Sequence, residues 1–97
     1  MKNKTILIID DEEDICLTLS KILTAQGYKT LTSLNATNGL NQIKTNVIDL
    51  VLLDVWLEGS KKNGIELLKI IKNYKKNLPV ILISGHGNIE MAVNAIK

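Results

Sequence analysis

A chain of 97 residues holds one domain or part of one, long enough to bury a modest core; hydrophobic residues make up 45% of it. Trp56, Tyr28 and Tyr74 are the only aromatics, so Ile, Leu and Val must fill that core, and a formal charge of +2 from twelve Lys against ten acids is too small a surplus for a nucleic-acid footprint. The lone Cys16 excludes an internal disulfide, and no apolar run has the length of a membrane helix or the form of a signal-peptide core, so the expectation is a reduced, soluble, cytoplasmic protein.

Thr5 to Ile9 is β-branched and apolar and stops at Asp10-Asp11-Glu12-Glu13-Asp14, the form of a buried strand followed by an acidic turn. A helical pattern follows, with Ile15, Leu19, Ile22 and Leu23 on one face and Gly27 closing it. Tyr28 to Leu34 alternates weakly, as an edge strand does, and Asn35-Ala36-Thr37 caps a short second helix running to about Lys44.

The run from Val47 to Leu53 is nearly unbroken in its apolar character and ends on Asp54, which suits a strand covered by helices on both sheet faces. Val55 to Asn63 contains the polar loop Glu58-Gly59-Ser60-Lys61-Lys62, and Gly64 opens a helix with Ile65, Leu68 and Ile71 in register. Pro79 precedes a fourth strand, Val80 to Ile83, ending at Ser84-Gly85-His86-Gly87. Asn88 caps a last helix on which Ile89, Ala92, Val93 and Ile96 share a face, a pattern still running at Lys97.

Four strands alternating with four helices predict an α/β fold, a doubly wound parallel sheet. In the order 2-1-3-4, strands one and three are neighbours and Asp10, Asp11 and Asp54 converge at their carboxyl ends, where open α/β sheets place ligand sites. Like charges brought together in a cleft must take up protons or hold a cation, and oxygen-only ligands favour a hard ion, Mg²⁺ first. Asp54 is then placed to attack a phosphoryl group, while the Ser84 hydroxyl and the Gly85 amide are placed to meet phosphoryl oxygens.

Each residue also has a plainer reading. Asp10 to Asp14 alone suit a helix N-terminus, Ser84 alone a turn, and Cys16 a small packing residue. His86 reads as an exposed loop residue, and the two Lys pairs, Lys61-Lys62 and Lys75-Lys76, as solvated charge. Only the convergence with Asp54 lifts the acidic run above its plainer reading.

Ile6-Leu7-Ile8-Ile9-Asp10-Asp11-Glu12, Asp54, Gly64 and Ile83-Ser84-Gly85-His86-Gly87 together resemble the receiver domain of bacterial two-component response regulators. Asp54 to Ser60 and Ser84 to Glu90 resemble the NtrX type of NtrC-like regulators. The resemblance implies a flavodoxin-like, CheY-like fold, and it implies that Asp54 accepts a phosphoryl group from the phosphohistidine of a sensor histidine kinase. It makes Asp11 a direct Mg²⁺ ligand and Asp10 one acting through water, with Asp54 and the Trp56 main-chain carbonyl completing the protein's share. Ser84 becomes the switch hydroxyl. The chain is then a regulatory module that catalyses at most its own phosphorylation and dephosphorylation, and DNA is reached only through modules outside it.

The family's Lys and aromatic switch residue on a fifth strand have no counterpart here, and Lys97 falls in helical register. The expectation is a receiver domain over residues 1–97, incomplete at its C-terminal end, with the fifth strand and fifth helix (roughly 20 residues) absent. An uncovered fourth strand predicts self-association as a dimer, with element exchange one route to it.

Two rival functions are separable. A Mg²⁺-dependent phosphohydrolase with an Asp nucleophile calls for a second Asp two residues after Asp54, where Trp56 stands. An interaction module that kept the fold and lost phosphorylation differs in failing to form a phosphoryl adduct.

Overall fold

The computed structural model describes residues 3–57, 61–83 and 92–93. Along the chain they form β1 (Thr5–Ile9), α1 (Glu13–Ala25), β2 (Lys29–Ser33), α2 (Ala36–Thr45), β3 (Leu50–Asp54), α3 (Lys61–Tyr74), β4 (Val80–Ile83) and β5 (Ala92–Val93). β1 to β4 are parallel in the order β2-β1-β3-β4, as the alternation of elements predicts, and β5 joins the outer edge of β4 antiparallel.

The period-two alternation of each central strand divides the core. Leu7, Ile9, Val51, Leu53, Val80 and Leu82 pack with Ile43 of α2 and with Leu67 and Ile71 of α3. Ile6, Ile8 and Cys16 form the second cluster, against which Leu19, Leu23, Tyr28, Leu50 and Leu52 pack half-buried. Truncating a residue as enclosed as Ile71 to Ala costs about 2–5 kcal/mol in such settings.

Local chemistry sets the element ends. Glu13 and Asp14 occupy the first turn of α1, where acids oppose the helix dipole. Gly27 ends α1 with φ 99°, a conformation that glycine adopts without a Cβ penalty, and the Tyr28 amide returns to the Leu23 carbonyl. The side chain of Asn35 accepts the Asn38 amide at 2.8 Å and so caps α2 as expected.

Four expectations change. β3 begins at Leu50 rather than Val47, which is 81% exposed, because the chain first pairs Asp49 with Thr5. Ile22 lies on the exposed side of α1, and Cys16, 2% exposed, fills the position facing the sheet. α3 begins at Lys61, so Gly64 sits inside its first turn rather than opening it.

The fourth change is at the C-terminal end. Ala92–Val93 is extended and pairs with Ile81 and Leu82, where a helix was expected. The outer edge of β4 carries backbone donors and acceptors that need partners, and that demand overrides a helical period four residues deep. The β4 edge is therefore covered over those two residues. Residues 84–91 and 94–97, which include Ser84, Gly85, His86, Gly87 and Lys97, lie outside the described residues.

Candidate functional site

Asp10 follows the last residue of β1 and Asp54 ends β3, and the pairing of Ile9 with Leu53 brings these two ends side by side. One carboxylate oxygen from each of Asp10, Asp11 and Asp54 lies within 4.8 Å of the others, the convergence that the strand order predicts. Asp10 and Asp54 are 0% and 1% exposed, whereas Asp11 faces solvent.

Both buried acids use the same local device. Asp10 Oδ1 accepts the Glu12 amide at 2.8 Å, and Asp54 Oδ1 accepts the Trp56 amide at 3.0 Å, each an Asx-type bond two residues ahead. The main chain of Asp10 is held on both sides: its amide donates to the Ser33 carbonyl at 3.0 Å, and the Cys16 thiol donates to its carbonyl at 3.4 Å. Past Asp54, the Val55 amide donates to the Ile83 carbonyl at 2.8 Å and Leu57 is fully buried, which anchors the turn; Trp56 between them is 47% exposed.

Burial pushes the Asp10 carboxyl up to about 6; the Glu12 amide opposes this, and the charges of Asp54, Asp11 and Glu12 add to it. Asp54 is raised by burial as well, against the Trp56 amide and with the charges of Asp11 and Glu12. The Cys16 thiol, pushed up to about 11 by burial and then by Asp10, is a packed hydrogen-bond donor rather than a nucleophile.

Asp10 Oδ2 is buried with no hydrogen-bond partner among the described residues. A carboxylate oxygen in that position is costly unless something neutralises it. Three oxygen donors at ion-sharing distance, beside an Asp10 oxygen that has no partner among the described residues, fit a hard divalent cation better than they fit a solvated acidic turn. The plainer reading of Asp10 to Asp14 holds for Glu13 and Asp14, and it does not account for Asp10.

Three contributors are not legible in the sequence: the Ser33 carbonyl, the Cys16 thiol and the close approach of Gly64 to the backbone of Val55. Each joins segments that only the fold brings together, and no local spacing announces them. Gly64 was noticed as a helix residue, and its packing role lies in that contact.

The family model described as "Response regulator receiver domain" matches residues 6–97. The chain is 49% identical over 92 residues to the nitrogen assimilation regulatory protein NtrX of Azorhizobium caulinodans, covering 95% of this chain and 20% of that protein. The crystal structure of the receiver domain of NtrX from Brucella abortus superimposes with a TM-score of 0.79 at 47% identity, over 94% of this chain and 76% of that one. The response regulator TrrA of Thermotoga maritima, solved in complex with Mg(2+)-BeF, gives a TM-score of 0.78 at 32% identity, over 87% and 71% of the two chains. The chain thus spans about a fifth of the length of the curated NtrX relatives it matches.

Proposed function

The chain belongs to the response regulator receiver domain family, NtrX-like within it, and from that premise we propose that Asp54 is its phosphoacceptor, charged by the phosphohistidine of a sensor histidine kinase. The observation that carries this reading is the buried Asp54 carboxylate at a strand end, within 4.8 Å of Asp10 and Asp11 and beside an Asp10 oxygen that has no partner among the described residues.

Asp10, Asp11 and Asp54, with the main-chain carbonyl of Trp56, would hold Mg²⁺, with Asp11 bound directly and Asp10 through water. When bound, the ion offsets the carboxylate charges and those on the phosphoryl oxygens. The complex of TrrA with Mg(2+)-BeF supports the choice of ion.

The chain's own residues then divide the work. The Trp56 amide occupies Asp54 Oδ1, which leaves Oδ2 as the attacking atom. Its lone pair forms the O–P bond as the P–N bond of phosphohistidine breaks and the electron pair returns to the imidazole. The fixed bond to Trp56 also keeps the carboxylate from turning, so that the nucleophile meets the phosphorus from one direction. The hydroxyl of Ser84, which lies beyond the described residues, completes the reading as the switch group.

The module is regulatory and cytoplasmic in this reading, and control of transcription through DNA belongs to the other four-fifths of an NtrX-like regulator. Among the described residues no helix is long and apolar enough to cross a membrane. Self-association was expected from an uncovered β4; the pairing of Ile81 and Leu82 with Val93 and Ala92 removes that ground over those two residues, and a dimeric mass by light scattering at high concentration would restore it.

Incubation with Mg²⁺ and a small phosphodonor, followed by intact mass, tests the proposal. One phosphoryl adduct, absent from Asp54→Asn, is expected. No adduct on the wild-type chain points instead to an interaction module, and turnover of a phosphoester to a hydrolase.

A further inference from the structure

Gly64 lies buried in the first turn of α3 with its Cα against the main chain of Val55. A Cβ built there would collide with the Val55 carbonyl oxygen and would lie 2.6 Å from the carbonyl carbon and 2.7 Å from Cα, all of them backbone atoms. Gly39 of α2 offers a contrast, since the nearest atoms to its added Cβ all belong to the Ile9 side chain, with Cδ1, its far end, at 2.7 Å, and none is backbone.

The Val55 carbonyl belongs to the same peptide plane as the Trp56 amide. That peptide is trans, so the two groups point in opposite directions: the carbonyl toward Gly64, the N–H toward Asp54 Oδ1 at 3.0 Å. Rotating the plane to clear a Cβ would swing the N–H away from the carboxylate by the same angle. The Val55 amide is fixed to the Ile83 carbonyl and Leu57 is fully buried, so the segment cannot slide away as a unit.

The geometry points to Gly64 as a positioning residue for Asp54: its bare Cα sets the Val55–Trp56 peptide plane, whose amide selects the carboxylate oxygen left free to attack. This rests on the reading of Asp54 as phosphoacceptor and adds a determinant outside the acidic cluster. Gly64 touches neither the phosphoryl group nor the ion, and acts through the main chain of two neighbours.

The test compares Gly64→Ala with Gly39→Ala, each confirmed as folded by circular dichroism at the assay temperature. Adduct formation with Mg²⁺ and a small phosphodonor is followed by intact mass, and the Trp56 amide by ¹⁵N-resolved hydrogen exchange. Gly64→Ala should slow adduct formation about ten- to a hundred-fold and speed Trp56 amide exchange about ten-fold, while Gly39→Ala stays within about two-fold in both. A folded Gly64→Ala with wild-type adduct rate and a protected Trp56 amide overturns the proposal. Where Gly64→Ala does not fold, the wild-type chain decides: a Trp56 amide exchanging at the rate of an open chain overturns the proposal, and a protected one supports it. A wild-type chain that forms no adduct defeats the phosphoacceptor reading alone, and the exchange comparison still decides the role of Gly64.

Discussion

At the amino ends of the strands, Asp49 places Oδ2 2.8 Å from the Thr5 amide while its own amide donates to the Thr5 carbonyl at 2.9 Å. At the carboxyl ends of the same strands, Asp10 and Asp54 each accept one amide from two residues ahead, and Asp10 Oδ2 has no partner among the described residues. All three acids adjoin or end a central strand of the sheet. The first closes a reciprocal pair and joins β1 to the approach to β3, while the other two are buried beside each other and Asp11, and one oxygen of the cluster residues, Asp10 Oδ2, still has a bond to make among the described residues. A carboxylate that finishes its hydrogen bonding within the fold serves stability, and a cluster that cannot finish it marks where a ligand is required.

The largest effect separating the two ends is the response to Mg²⁺. At a hundred times its dissociation constant, the ion should stabilise the wild-type chain by about 2.7 kcal/mol, or roughly 10–20 °C in Tm for a domain of this size. Asp10→Asn and Asp54→Asn should lose most of that shift in calorimetric melts, and Asp49→Asn should keep it. A full Mg²⁺ shift in Asp10→Asn would place the ion elsewhere.

Asp49→Ala should show the converse. It leaves the half-buried Thr5 amide without its side-chain acceptor, at a cost of about 1–3 kcal/mol in urea unfolding, with Mg²⁺ affinity unchanged. A large loss of Mg²⁺ binding in this variant would abolish the distinction between the two ends.

The folded Asp10 carboxyl is raised from its ordinary 3.8 to about 6, so the native state holds a proton that the open chain has released between those values. Stability without a divalent cation should therefore fall as pH rises across that window. With saturating Mg²⁺ the ion binds the deprotonated site, so its stabilising increment should grow over the same window. Parallel urea curves at about pH 4 and pH 7, with and without Mg²⁺, read both slopes.

The smallest effect comes from Asp14, an exposed acid in the first turn of α1. Asp14→Asn should change Mg²⁺ affinity by less than about two-fold, since screened charge at a distance contributes little. An effect as large as that of Asp10→Asn would mean that acidity of the segment, rather than convergence, holds the ion.

The amino-acid sequence carries the functional end of the sheet more plainly than the structural end. Asp10 and Asp54 stand where apolar runs stop, so their placement followed from strand order alone. Asp49 lies within such a run, and its bond to Thr5 spans 44 residues, which no local pattern encodes. The Ser33 carbonyl and the Cys16 thiol reach Asp10 through tertiary packing in the same way. Ala92 and Val93 fit a helical period and still pair as strand, because four positions are too few to outweigh an open sheet edge. Gly64 was visible as a residue type, but its packing against Val55 appears only once α3 is folded over the turn.

Reduction of the phosphorylated chain with borohydride, followed by peptide sequencing, identifies the phosphoacceptor, because it converts an aspartyl phosphate to homoserine at the residue that carried it. Homoserine is expected at position 54 alone, formed only when Mg²⁺ was present during phosphorylation. Homoserine at position 10 or 11, or an adduct on any other side chain, would contradict it.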